Sequence, residues 1–149
     1  MTGLVLDATE NDLTYRIIGA AMAVHNAIGS GFREEVYERV LENELLSREI
    51  SVKRQYQVEV HHSGIPVALF IIDLWVDELV IVELKAFGHQ LTNDEVSQVI
   101  NYLKATGAPV GLLFNFGRRK LEFRRVFPGP DASFPIRRLG RDNVKRASE

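Results

Sequence analysis

Asp73, Glu83 and Lys85 are the residues of this chain whose types and spacing could do chemistry. They lie within Phe70-Ile71-Ile72-Asp73-Leu74-Trp75-Val76-Asp77-Glu78-Leu79-Val80-Ile81-Val82-Glu83-Leu84-Lys85, which reads as two apolar strands joined by a short acidic turn. Buried strands of this kind are near-continuous hydrophobic runs, so two carboxylates and an ammonium inside them need compensation. A divalent metal supplies it: a hard cation takes carboxylate oxygens, and a neighbouring ammonium can hold a phosphate or an attacking water. The plainer alternative is an ion pair between Asp73 and Lys85 on an edge strand, with Glu83 solvated.

Strand periodicity turns this into a geometric expectation. Residues two apart share a face, so Glu83 and Lys85 project together while Val82 and Leu84 point away. A strict two-residue loop at Asp77-Glu78 pairs Val76 with Leu79 and Asp73 with Val82, which puts Asp73 and Glu83 on opposite faces. A shared metal therefore requires an odd-length loop or a bulge between them. Glu78 stands where a glycine would favour a tight primed turn, which also argues for an irregular connection.

Other elements must hold this hairpin in place. Thr9-Glu10-Asn11-Asp12 reads as a helix start, followed by Leu13, Ile17, Ala20, Ala21, Val24 and Ile28 at helical spacing, with Gly29 as the stop. His25, on the flank of this helix, reads as a hydrogen-bonded structural histidine. A second helix is expected from about Arg33 to Arg48, with Glu34 and Tyr37 three apart near its start and so on roughly one face. Ile50 to His61 reads as a strand interrupted near Arg54-Gln55; the adjacent His61 and His62 face opposite ways and make a poor metal pair. Thr92-Asn93-Asp94-Glu95 carries the capping-box spacing that starts a third helix, which ends at Gly107 before Pro109 and places Gln98 and Tyr102 on one stripe. Val110 to Phe116 and Lys120 to Phe127 are the closing strands.

Bulk properties bound the function classes. A chain of 149 residues with 46% apolar and 26% charged residues suits one globular domain with a sizeable core, expected over residues 1–128. The absence of cysteine excludes disulfides and thiolate metal sites. No basic leader with a long apolar run opens the sequence and no stretch approaches a membrane span, so a cytoplasmic, intracellular location is expected. Through Gly117 the chain has 8 Lys and Arg against 16 Asp and Glu, and from Arg118 onward 10 against 4. An acidic body with a basic end suits contact with a polyanion, and Arg118, Arg119, Lys120 and Arg124 are the candidate nucleic-acid contacts; a solvated strand and tail is the alternative. Residues 129–149 read as a basic tail, partly disordered or a peripheral arm.

Two helices, three strands, a helix and two strands give an α/β layout with the acids on the second and third strands. In this arrangement Ile72-Asp73 with Glu83-Leu84-Lys85 resembles the signature of the PD-(D/E)XK nuclease superfamily, and Gln98 with Tyr102 resembles the glutamine and tyrosine motif of its RecB-like branch. Gly31-Phe32-Arg33-Glu34-Glu35-Val36-Tyr37 is similar to the motif that names the GxxExxY protein family within that superfamily, and the likeness runs from about Leu13 to Phe127. The resemblance implies a restriction-endonuclease-like mixed sheet flanked by helices, an αβββαβ core with an extra N-terminal helix. It also implies that Asp73, Glu83, the Leu84 carbonyl and Glu34 bind Mg²⁺ or Mn²⁺, that Lys85 positions water or stabilises charge, and that Gln98 and Tyr102 orient the site or the phosphate. Ile71 departs from the family pattern, which often has a basic residue there.

The expected function is a metal-dependent nuclease acting on DNA, with self-association into a homodimer suited to cutting two strands. Lys85 serves either as a charge that stabilises the transition state or, with a lowered pKa, as a base. The alternatives are a nuclease-fold module that binds nucleic acid without turnover and an accessory that binds an acidic protein partner.

Overall fold

The computed structural model describes residues 8–129 and the backbone of residues 137–140. Its elements are α1 (Ala8–Ile28), α2 (Glu34–Ser47), β1 (Val52–His62), β2 (Ile65–Val76), β3 (Val80–Lys85), α3 (Asn93–Thr106), β4 (Val110–Asn115), β5 (Glu122–Val126) and β6 (Arg137–Gly140). The strands form one mixed sheet in the order β5-β4-β3-β2-β1-β6. β3 and β4 are parallel, as their crossover through α3 demands, and the other neighbours are antiparallel. The α/β class and helix-flanked mixed sheet expected from the sequence are thus present. No described helix is long and apolar enough to cross a membrane.

Two apolar layers flank the sheet. Leu74, Val76, Val80, Val82, Leu84, Leu112 and Phe114 pack with α1 and α2, through Ile17, Val24, Tyr37, Leu41 and Leu45 among others. Ile72, Trp75, Ile81 and Leu113 pack with α3, through Val99, Tyr102 and Leu103. The near-continuous apolar runs of β3 and β4 follow from burial on both faces. Gly111 lets α3 approach β4: a Cβ there would lie 2.6 Å from Val99 Cγ1.

The segment expected as a tail contributes structure. Arg137–Gly140 pairs antiparallel with Val58–His61 and forms the edge strand beside β1. Residues 130–136 and 141–149, also assigned to that tail, lie outside the described residues, as does the N-terminal stretch 1–7.

The sheet changes face in mid-strand. On β2, Ile72 belongs to the α3 layer and Leu74, two residues on, to the α1/α2 layer, so the regular alternation breaks at Asp73. On β1 the same switch falls between Val52 and Tyr56, and Gln55 lies in the left-handed region at φ 54°. Gln55 and Asp73 stand opposite each other between the paired positions Arg54–Leu74 and Tyr56–Ile72. The interruption expected near Arg54-Gln55 is therefore a backbone irregularity within a continuous strand, of the kind that re-aims side chains beside sites.

Candidate active site

The three-residue connection Asp77-Glu78-Leu79 sets the register of the β2–β3 hairpin. Val76, Trp75 and Leu74 pair with Val80, Ile81 and Val82, and the next step along that register brings Asp73 opposite Glu83. The odd-length loop required for a shared site is present. Its form differs from expectation, because Asp77 and Glu78 both adopt left-handed backbone, at φ 52° and 53°, and Leu79 N–H donates to the Val76 carbonyl at 3.0 Å. A tight turn without glycine is made, and Leu79 is the additional residue that shifts the register.

At Asp73 and Glu83 side chains take over from the backbone ladder. Asp73 N–H donates to Glu83 Oε2 at 2.8 Å, and Leu84 N–H donates to Asp73 Oδ2 at 2.9 Å. Each carboxylate satisfies a backbone donor across the pair and keeps a second oxygen for another partner. Burial pushes the Asp73 carboxyl up to about 7, an effect reduced by the Leu84 N–H and reinforced by the charges of Glu38 and Glu34. Glu83, 3% exposed, is raised well above the usual carboxylate range, first by burial and then by the charge of Asp73.

Lys85 stands two residues beyond Glu83 on the same face, and its Nζ donates to Gln98 Oε1 at 3.1 Å. Gln98 and Tyr102 do share one stripe of α3. Tyr102 is nearly buried, and its hydroxyl pKa is pushed up to about 12 by burial and by the charges of Glu83 and Asp73, so it stays a neutral hydroxyl beside the acids. The α3 start is built as its sequence requires: Thr92 Oγ1 accepts from Asp94 N–H, Glu95 accepts from Thr92 N–H at 2.6 Å, and Gly107 closes the other end at φ 77°.

Glu34 stands in the exposed first turn of α2, close enough to Lys85 and the carboxylate pair to interact with their charges. Its pKa is raised by partial burial, against the effect of Lys85. Among the described residues no three His, Asp or Glu side chains come together as a ligand cluster. The close carboxylate pair is Asp73 and Glu83, and Glu34 lies outside that pair. Two carboxylates with open oxygens, beside an ammonium, fit Mg²⁺, which keeps several waters and commonly takes only one or two carboxylates together with substrate phosphate.

Sequence reasoning missed three supports. Glu38, 5% exposed and one turn beyond Glu34, accepts from Arg54 Nη1 at 2.8 Å and from Gln55 Nε2 at 2.7 Å, anchoring the β1 irregularity that faces Asp73. Its i,i+4 spacing from Glu34 and the broken pattern at Gln55 were the available signals. Tyr37 stands in the sequence as the last residue of the GxxExxY-like motif, three after Glu34, with no partner indicated. Its hydroxyl donates to the Gly29 carbonyl at 2.6 Å and accepts from Phe32 N–H at 3.3 Å, and its ring stacks on Phe116 with centroids 4.7 Å apart. Tyr37 thus ties the α1–α2 loop, and with it Glu34, to the end of β4. Asn115, fully buried, accepts from Phe87 N–H and Gly117 N–H and donates to the His89 carbonyl, so it organises the loop that follows Lys85.

The basic candidates differ in their partners. Arg118 pairs with Glu122 at 3.8 Å, and Arg124 Nη2 donates to the Leu91 carbonyl at 3.3 Å, so both have structural partners. Arg119 and Lys120 are exposed in the β4–β5 connection and line a small cavity with Met22 and His25 of α1. That connection is at the same end of the parallel β3–β4 pair as Lys85. His25 is the structural group expected, with Nε2 2.9 Å from the Arg118 carbonyl, and His61 lies 2.7 Å from Glu59. Ile71 is 42% exposed and continues an outward apolar row of Ile65, Val67 and Leu69 along β2.

No curated protein and no solved structure matches the chain. Residues 11–126, most of the 149, match the family described as PD-(D/E)XK nuclease superfamily, and the matched span carries the acid pair, Lys85, all of α1 but its first three residues and every element from α2 through β5; the chain belongs to the PD-(D/E)XK nuclease superfamily.

Proposed function

We propose that the protein is a metal-dependent nuclease of the RecB-like, GxxExxY type that hydrolyses phosphodiester bonds in DNA, with Mg²⁺ or Mn²⁺ held by Asp73 and Glu83. The observation that carries this reading is the facing of two carboxylates, Glu83 buried and Asp73 partly so, both raised in pKa, across a hairpin whose extra residue puts them in register. When bound, the cation supplies charge neutralisation at the phosphoryl oxygens and activation of water.

The chain's own groups do the rest. Asp73 and Glu83 would hold the ion as carboxylates, and the Leu84 and Asp73 N–H groups keep the two carboxylates in place. The Leu84 carbonyl is the proposed backbone ligand. Lys85, oriented by Gln98, directs its ammonium at the phosphate, where developing negative charge is greatest in the transition state. Tyr102 keeps its proton and can donate to a phosphate oxygen. Glu34, at the exposed start of α2, would accept a proton or hydrogen-bond a water from the solvent side, and the exposed Arg119 and Lys120 would supply phosphate contacts further along the strand.

Mn²⁺ titration followed by electron paramagnetic resonance tests the site, and cleavage of labelled DNA tests the reaction. Wild type should bind Mn²⁺ and convert substrate. Asp73→Ala should lose both, and Lys85→Ala should keep Mn²⁺ while losing turnover by about 100-fold or more, the scale of removing one transition-state charge. Equal turnover by wild type and both variants would falsify the assignment. Salt-dependent, metal-independent binding with no product would instead favour a module that retains the fold without turnover.

A further inference from the structure

Between α3 and β2 lies a cleft of about 430 Å³ lined by Phe70, Asp94, Ser97, Gln98, Asn101 and Tyr102. We propose that it is a subsite for one unpaired nucleobase of a single-stranded DNA, next to the phosphate bound at Lys85. The proposal rests on the nuclease reading and adds to it the strandedness of the substrate.

Gln98 joins the two places. Its Oε1 accepts from Lys85 Nζ at 3.1 Å, and the same side chain forms part of the cleft wall. A phosphate at Lys85 therefore has its own nucleoside within reach of the cleft. The lining chemistry selects the base over a second phosphate. No Lys or Arg is among these six residues, and the Asp94 carboxylate would repel an anion. Ser97, Gln98 and Asn101 offer both donors and acceptors from one helix face, as the edge of any base requires. Phe70 supplies an aromatic surface, tilted 51° to Tyr102 with ring centroids 5.2 Å apart, on which a base can stack. The volume is within the range of small-molecule sites.

The chemistry of the cleft favours an unpaired strand. Paired bases are stacked with their Watson–Crick edges occupied, so a base reaches a side cleft only after leaving the duplex.

The test uses the whole chain with Ca²⁺ and fluorescence anisotropy on three probes: a short single-stranded DNA, the same oligomer made entirely of abasic sugar phosphates, and a blunt duplex of that sequence. The base-bearing strand should bind about tenfold tighter than the abasic strand, the scale of one base stacked on an aromatic ring, and tighter than the duplex. Asn101→Ala, at an exposed position, and Phe70→Leu, which keeps an apolar side chain in the layer, should each narrow the gap between base-bearing and abasic strands to about threefold or less. Equal affinity of wild type for the two strands, or an undiminished gap in both variants, overturns the subsite. Turnover of DNA in Mg²⁺ is scored separately. Turnover without base discrimination removes the subsite and leaves the nuclease, and base discrimination without turnover does the reverse.

Discussion

The protonation of Asp73 and Glu83 links stability to pH and to metal. Asp73 titrates at about 7 in the folded chain against an ordinary value of 3.8, and Glu83 is shifted in the same direction. The folded state therefore holds protons that the unfolded state releases. The associated stability is complete below the ordinary carboxylate value and is lost as pH rises through about 7. Thermal unfolding of the metal-free protein should show a loss on the order of 2–4 kcal/mol between mildly acidic and mildly alkaline buffer, and Asp73→Asn should flatten much of that slope. Added Mn²⁺ should stabilise the alkaline form more than the acidic one, because metal competes with protons for the same oxygens. A wild type with no pH slope would contradict the partly buried, facing geometry. Tyr37→Phe makes a second residue-scale prediction. It removes a 2.6 Å bond to the Gly29 carbonyl in a fully buried setting and should cost about 1–3 kcal/mol by denaturant unfolding.

At the level of elements, the hairpin register and the loop after β3 carry the site. Deleting Leu79 leaves Asp77-Glu78 as a two-residue loop with Val76 still opposite Val80, so Asp73 still faces Glu83. The variant is expected to keep its sheet by circular dichroism and to keep Mn²⁺ binding; loss of Mn²⁺ affinity with the sheet intact would show that the three-residue connection itself, and not the register alone, holds the acid pair. Gly117 belongs to the same scale. A Cβ there would lie 2.4 Å from the Phe87 carbonyl oxygen and 2.5 Å from Ala86 C, both backbone atoms in the segment that follows Lys85. Gly117→Ala must therefore displace that segment, and it should reduce turnover more than Mn²⁺ affinity, since Lys85 is nearer to it than the acid pair.

For the whole molecule, β6 decides whether the sheet ends safely. Arg137–Gly140 covers the edge of β1 at Val58–His61, and an uncovered edge is a template for pairing with another chain. Truncation after Pro128 should preserve Mn²⁺ binding and the acid-pair chemistry, because α1 through β5 remain. It should also raise self-association in light scattering. Loss of Mn²⁺ binding without aggregation would place β6 in the support of the site instead.

Much of this molecule was legible in its sequence because local rules agreed with the fold. The capping box at Thr92, the stop at Gly107, the apolar runs of β3 and β4 and the helical periodicity of α1 each depend on near neighbours, and each stands where the pattern puts it. The costly Asp73, Glu83 and Lys85 marked the candidate site by the same logic, and the parity of the loop could be demanded in advance. What the chain order could not express is contact across the sheet and helix layers. Glu38 reaching Gln55, Tyr37 closing on Gly29 and Phe116, Asn115 holding Phe87 and His89, and β6 returning to β1 join residues whose partners are set by how the layers pack. The split of the basic run among structural partners has the same origin: charge is countable along a chain, but which guanidinium meets a carbonyl or carboxylate depends on which surfaces folding brings together.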